Sequence, residues 1–239
     1  MQRIPIENDE IYHVYNRGVE KRDVFMDDGD HWRFIHYLYQ CNDVGTCPNL
    51  SYYTSLHSKE VEPAKLVPNR EKRTPIVDIL AYALMPNHYH LMLQQRVDGG
   101  VSKFMHDVAT GFTMFFNEKY DRSGSLFQGR YKYKPVTTQS QLLYLPHYIH
   151  LNPIKLIGNQ VNLGGSTSLD ALLGYRWSSL RDYAGMRNIP SILEPKLILE
   201  TFGGSQQYVN DLRRLLDSDR QQLAAREAIR DIAHDLDDV

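Results

Sequence analysis

The stretch from Val77 to Gln94 constrains the fold more than any other part of the chain. Val77-Asp78-Ile79-Leu80-Ala81-Tyr82-Ala83-Leu84 reads as a strand, and His88 to Gln94 reads as a second. Only the tight turn Met85-Pro86-Asn87 separates them, so the two strands should pair antiparallel. Successive strand side chains point to opposite faces. His88 and His90 therefore share one face, and Tyr89 and Leu91 share the other. Two imidazoles side by side on a rigid strand form a pair of metal ligands for divalent ions. His-x-His by itself is common outside metal sites. It gains weight from a second stretch, Tyr148-Ile149-His150-Leu151-Asn152-Pro153.

The elements around this hairpin can be placed by periodicity. Glu10 to Asn16 alternates and is rich in aromatic and β-branched residues, which predicts a first strand. Trp32, Phe34, Ile35, Leu38 and Tyr39 recur at helical spacing, with Asp27, Asp28 or Asp30 available as N-cap. After Gly99-Gly100, Phe104, Val108, Phe112, Phe115 and Phe116 mark one side of a helix from about Val101 to Tyr120. Leu126 to Val136 reads as a fourth, amphipathic strand. The order β-α-β-β-α-β predicts an α+β fold with a ferredoxin-like antiparallel sheet. A further helix is expected from about Thr138 to Leu151, kinked or shortened by Pro146 and ended near Asn152 by Pro153. Residues 42–74 are polar and proline-rich, which predicts a long inserted excursion. A Gly- and Ser-containing linker, Gly158 to Ser168, leads to a charged, helical C-terminal extension. There Leu212, Leu215, Leu216, Leu223, Ile229 and Ile232 are the apolar positions. The expected division is therefore a core domain at 1–157 and an extension at 158–239.

Charge distribution says more than the net charge of −2. Between Lys119 and Lys155 lie six basic residues (Lys119, Arg122, Arg130, Lys132, Lys134, Lys155) and one acid, Asp121, whereas Glu7 to Asp30 holds eight carboxylates. The positive charge is concentrated next to the Tyr148 stretch. No apolar run approaches the roughly 20 residues of a membrane span, and Met1 to Glu7 lacks the apolar core of a signal peptide. The two cysteines, Cys41 and Cys47, fit neither a disulfide framework nor a zinc spacing, which predicts free thiols in a reducing compartment.

On a helix, positions four apart share a face, so Tyr148 and Asn152 can point at one spot, while His150 should point away. A helix packed on the His-x-His face would bring a phenol, an amide oxygen and two imidazoles into one small volume. A divalent ion, Mg²⁺ or Mn²⁺, can be held there by His88, His90 and the Asn152 oxygen, with positions left open for phosphate oxygens. Tyr148 would then attack phosphorus and give a covalent phosphotyrosine with a free 3′-hydroxyl. A zinc hydrolase built on His-x-His would need an acidic ligand or a nearby Glu base, and none is in evidence.

Four segments together resemble the single-tyrosine HUH transposases, in particular the REP-associated tyrosine transposases and their insertion-sequence relatives. They are Tyr12-His13-Val14-Tyr15-Asn16-Arg17-Gly18, Met85 to Leu91, Leu126-Phe127-Gln128-Gly129-Arg130-Tyr131, and Tyr148 to Pro153. Tyr175-Arg176-Trp177-Ser178-Ser179 is similar to a fifth. The resemblance implies the HUH nuclease fold, with an added tyrosine-bearing helix. It also implies metal binding by His88, His90 and Asn152, nucleophilic attack by Tyr148, and a substrate of single-stranded DNA beside a hairpin, cut and rejoined without hydrolysis. Arg17, Arg130, Lys132 and Lys134 would contact phosphates. The expected protein is a cytoplasmic, nucleoid-associated strand transferase, as a monomer or homodimer, with no membrane partner. The competing expectation is a hairpin-binding regulator that keeps the fold but does not cut.

Overall fold

The computed structural model describes residues 5–45, 73–158 and 165–217. Most of the expected 42–74 excursion, much of the linker, and Leu223, Ile229 and Ile232 fall outside these residues.

Four strands, β1 (Ile11–Arg17), β2 (Val77–Met85), β3 (His88–Gln95) and β4 (Lys132–Pro135), form one sheet in the order β2-β3-β1-β4. Every neighbouring pair is antiparallel. This is the ferredoxin-like arrangement expected from the element order. Helix α1 (Asp28–Gln40) and helix α2 (Gly100–Lys119) supply the two crossovers. Both cover the Tyr89 face: Phe34 of α1 lies 5.0 Å from Tyr89 and 5.1 Å from Phe112 of α2, ring centre to ring centre. The opposite face, which carries His88 and His90, receives helix α3 (Gln139–Leu151).

Local chemistry fixes the ends of these elements. Asp27 caps α1 in a reciprocal box with Asp30. Asp30, fully buried, also accepts from the Lys119 ammonium at 2.7 Å and the Tyr120 hydroxyl at 2.8 Å, tying α1 to the end of α2. Gly18, just after β1, has no room for a side chain. A Cβ there would lie 2.3 Å from the Arg22 carbonyl oxygen. The loop it opens is sewn to the β2–β3 turn, because the Pro86 carbonyl accepts from the amides of Val24 and Phe25, and the Asn87 carbonyl accepts from Gly18. The two ends of the excursion also meet. Asn42 accepts from the amides of Ile76 and Val77, both at 3.0 Å, and donates to the Val77 carbonyl.

Three expectations are corrected here. The fourth strand is Lys132–Pro135, not Leu126–Val136. Leu126 and Phe127 instead plug the core, with Phe127 5.7 Å from Tyr89, and Gly129 at φ 105° turns the chain before the sheet resumes. Pro146 does not shorten α3, which runs unbroken from the Thr138 capping box to Leu151 with Leu145, Pro146 and Ile149 buried. Asn152 follows as the cap and keeps helical angles despite Pro153. Cys41 does not carry a free thiol: it is buried at the end of α1 and disulfide-bonded. The free-thiol expectation rested on compartment and spacing alone, and Cys47 lies outside the described residues.

A short helix, α4 (Ile154–Gly158), leads from the core into the extension, which holds α5 (Gly165–Gly174), α6 (Leu180–Tyr183), α7 (Lys196–Phe202) and α8 (Ser205–Asp217). Its 175–194 stretch seals the outer edge of β2. The Leu84 amide donates to the Trp177 carbonyl, and the Ser179 amide to the Tyr82 carbonyl. The Ser179 hydroxyl accepts from the Tyr82 amide at 2.9 Å, and the Tyr183 hydroxyl donates to the Leu80 carbonyl at 2.6 Å. An open strand edge is a template for unwanted pairing, and the Tyr175–Ser179 motif removes it. No helix among the described residues is long and apolar enough to cross a membrane.

Phe112 is fully buried and its ring meets those of Phe25, Phe34 and Phe127. Phe112→Ala should therefore lower the unfolding free energy by about 3–5 kcal/mol, as measured by chemical denaturation.

Candidate active site

The register of the sheet determines what surrounds the paired histidines. On β1, Arg17 lies directly opposite His88, Tyr15 opposite His90 and His13 opposite Met92. On β4, Lys132 lies opposite Tyr15 and Lys134 opposite His13. Directly paired residues share a face. Arg17, Lys132 and Lys134 therefore stand on the same side of the sheet as His88 and His90. Arg130 precedes β4 in an exposed loop. Lys119, counted with the basic region in sequence, is engaged at the other end of α2 by Asp27 and Asp30.

Helix α3 brings its residues onto this face. The Tyr148 ring stands edge-on to His90 at 5.5 Å and to His13 at 5.8 Å. The Asn152 Oδ1 lies 3.4 Å from His88 Nε2, and the Asn152 amide donates to the Tyr148 carbonyl at 3.4 Å. His88 and His90 are 5.1 Å apart, ring centre to ring centre, and perpendicular. The four residues singled out by spacing thus converge. His150 points away, as expected. It is fully buried, with Nδ1 2.6 Å from the Tyr208 hydroxyl and Nε2 2.7 Å from the Ser179 hydroxyl, so it ties α3 to α8 and to the cover over β2.

One residue of the cluster was not assigned a role from sequence. His13 is fully buried, and its Nε2 lies 2.9 Å from His90 Nδ1 with the rings stacked at 5.1 Å. Its alternation along β1 was visible in sequence, but the register against β3 was not.

Burial keeps His13 and His90 neutral. Burial pushes His13 down to about 3, with the Lys134 charge adding to the effect. Burial also holds His90 well below the ordinary histidine range, and His13, His88 and Arg17 push the same way. A neutral imidazole is the form that ligates metal. His90 Nε2 is buried without a hydrogen-bond partner. Among the described residues no cluster of three or more His, Cys, Asp or Glu side chains is arranged to hold a metal ion. The candidate donor set differs in kind: two imidazoles and an amide oxygen. Two imidazoles and one amide oxygen could hold a divalent ion and leave positions open for other ligands.

Residues 61–152 match the family model described as "Transposase IS200 like". Over that stretch the chain is similar to the IS200-like transposases. The matched stretch contains His88, His90, Tyr148 and Asn152, and it agrees with the resemblance carried by the sequence motifs. Among solved structures, the chain is similar to a REP-associated tyrosine transposase bound to a REP hairpin. That match has 12% identity and a TM-score of 0.47, covering 81% of this chain and 90% of that one. No curated protein matches.

His147, on α3 beside the site but facing the extension, stacks on Tyr208 at 4.4 Å, and burial lowers it to about 3 from an ordinary 6.5. Between those values the unfolded chain binds a proton that the folded protein does not. Its contribution is therefore present above pH 6.5 and is lost as pH falls. His147→Phe should remove this dependence. Between pH 7 and pH 5 the variant should lose about 2 kcal/mol less unfolding free energy than the parent, as measured by denaturation at each pH.

Proposed function

We propose that this chain is a divalent-metal-dependent transposase that cuts and rejoins single-stranded DNA beside a hairpin through a covalent 5′-phosphotyrosine on Tyr148. The observation that carries this reading is the convergence of Tyr148 and Asn152, from one helix, on the face of β3 that bears His88 and His90. The IS200-like match over residues 61–152 supports the reaction class.

In this reading the Tyr148 phenolate oxygen attacks a backbone phosphorus. The bond from phosphorus to the 3′-oxygen breaks, and that oxygen takes up a proton to leave a free 3′-hydroxyl. The 5′-phosphate stays esterified to the tyrosine. Attack by the 3′-hydroxyl of another end then reverses the exchange and releases Tyr148, so no phosphodiester energy is lost to water. His88, His90 and the Asn152 oxygen would hold the divalent ion, which when bound polarises the phosphodiester and neutralises charge on its oxygens. The chain's own part is to orient and to hold. The sheet fixes the two imidazoles, α3 fixes the phenol and the amide, and Arg17, Lys132 and Lys134 present positive charge on the same face for the strand's phosphates. Arg130 extends that charge from the exposed loop ahead of β4.

The test is covalent capture. The protein is incubated with labelled single-stranded hairpin DNA from beside its own gene, with Mg²⁺ or Mn²⁺, and resolved under denaturing conditions. A metal-dependent adduct should form with the parent chain, disappear in Tyr148→Phe with DNA binding largely retained, and fall to background in His88→Ala. Binding without an adduct under either metal would instead favour a hairpin-binding regulator. An adduct that persists in Tyr148→Phe would assign the chemistry to another residue.

A further inference from the structure

The hydrogen-bond partners of the two histidines lie outside the proposed ligand set, and they decide which ring nitrogen is available. Asn87 Nδ2 donates to the Lys21 carbonyl at 3.2 Å, which orients the amide so that its Oδ1 meets His88 Nδ1 at 2.6 Å. A carbonyl oxygen only accepts, so Nδ1 carries the hydrogen and, in the neutral ring, Nε2 carries the lone pair. Asn152 is oriented in the same manner. Its Nδ2 donates to the Tyr148 carbonyl, and its Oδ1 faces His88 Nε2 at 3.4 Å. In the neutral ring both atoms offer lone pairs, and both would be open to an ion.

The other histidine has a different partner. His90 Nδ1 lies 2.9 Å from His13 Nε2, so one hydrogen sits between two nitrogens. If His13 donates it, the neutral His90 ring carries its own hydrogen on Nε2, where it finds no acceptor and blocks a ligand position. If His90 donates it, His90 Nε2 is a bare, buried lone pair ready to ligate, and the hydrogen without an acceptor is instead the one His13 carries on Nδ1.

We propose that His13 is a positioning residue for the metal site: its Nε2 accepts the Nδ1 hydrogen of His90 and holds His90 in the tautomer whose Nε2 is free for the ion, as Asn87 does for His88. The inference rests on the proposed divalent site at His88, His90 and Asn152. It extends that site to a third strand-borne histidine, which acts through His90. Both proposed ligands then present Nε2, each set by an acceptor from its own side: Asn87 in the β2–β3 turn and His13 on β1. Partners of this kind fix the orientation of a ligating imidazole, and their loss commonly costs about 10–100-fold in metal affinity.

Two measurements on the full chain test it. Long-range ¹H–¹⁵N correlation spectra of the metal-free protein report the tautomer of each histidine directly. Calorimetric titration with Mn²⁺ then compares the parent with His13→Leu, which removes the acceptor, and His13→Gln, whose side-chain oxygen can replace it. The expected result is His90 with its hydrogen on Nδ1, Mn²⁺ affinity about 10–100-fold weaker in the Leu variant, and affinity close to the parent's in the Gln variant. The rescue separates positioning from simple loss of packing. Should the Leu variant fail to fold, the parent tautomer and the Gln variant still decide the matter. His90 with its hydrogen on Nε2, or a folded Leu variant that binds Mn²⁺ as the parent does, would overturn the role of His13 while leaving the metal site standing. A parent chain that binds no Mn²⁺, indistinguishable from His88→Ala, would overturn the metal site and this inference with it.

Discussion

The geometry of the site depends on the register of β3 between β1 and β2. Because side chains alternate, a slip of one residue would turn His88 and His90 into the α1–α2 core and bring Tyr89 and Leu91 to the face under α3. The register is pinned from both sides. Tyr89 is locked between Phe34 and Phe127 on the helical face, and the Pro86–Asn87 turn is held by amides from the loop after Gly18. The same pairing brings His13, Arg17, Lys132 and Lys134 to the histidine face. Burial, the grouping of the histidines and local charge therefore follow from one constraint.

Helix α3 is the second half of the site, and its residues divide the work. Tyr148 and Asn152 face β3, whereas His147 and His150 anchor the helix to Phe202, Tyr208 and Ser179 in the extension. The extension also closes the outer edge of β2. It is thus part of what holds the phenol over the imidazoles. This gives the Tyr175–Ser179 motif a physical role that its sequence did not reveal.

What the sequence disclosed followed local rules. A two-residue period placed His88 and His90 together, a four-residue period placed Tyr148 with Asn152, and an acidic residue at the start of α1 served as its cap. What stayed hidden was non-local. His13 lies beside His90 only because β1 pairs with β3 in one register, and nothing within Tyr12–Gly18 encodes that neighbour. The alternation from Leu126 to Val136 implied a long strand. Leu126 and Phe127 were apolar for a different reason, filling the core between helices, while Gly129 broke the run. Pro146 signalled a kinked or shortened helix; α3 is not shortened, with buried neighbours and a firm N-terminal cap keeping its full length.

The central claim is that two imidazoles and one amide oxygen on a common face hold a divalent ion beside a tyrosine. Anomalous diffraction from crystals soaked in Mn²⁺ addresses it most directly. The account predicts a single strong peak within coordination distance of His88 Nε2, His90 Nε2 and Asn152 Oδ1, next to the Tyr148 ring. A peak elsewhere, with those three atoms uncoordinated in a folded, Mn²⁺-saturated crystal, would contradict it.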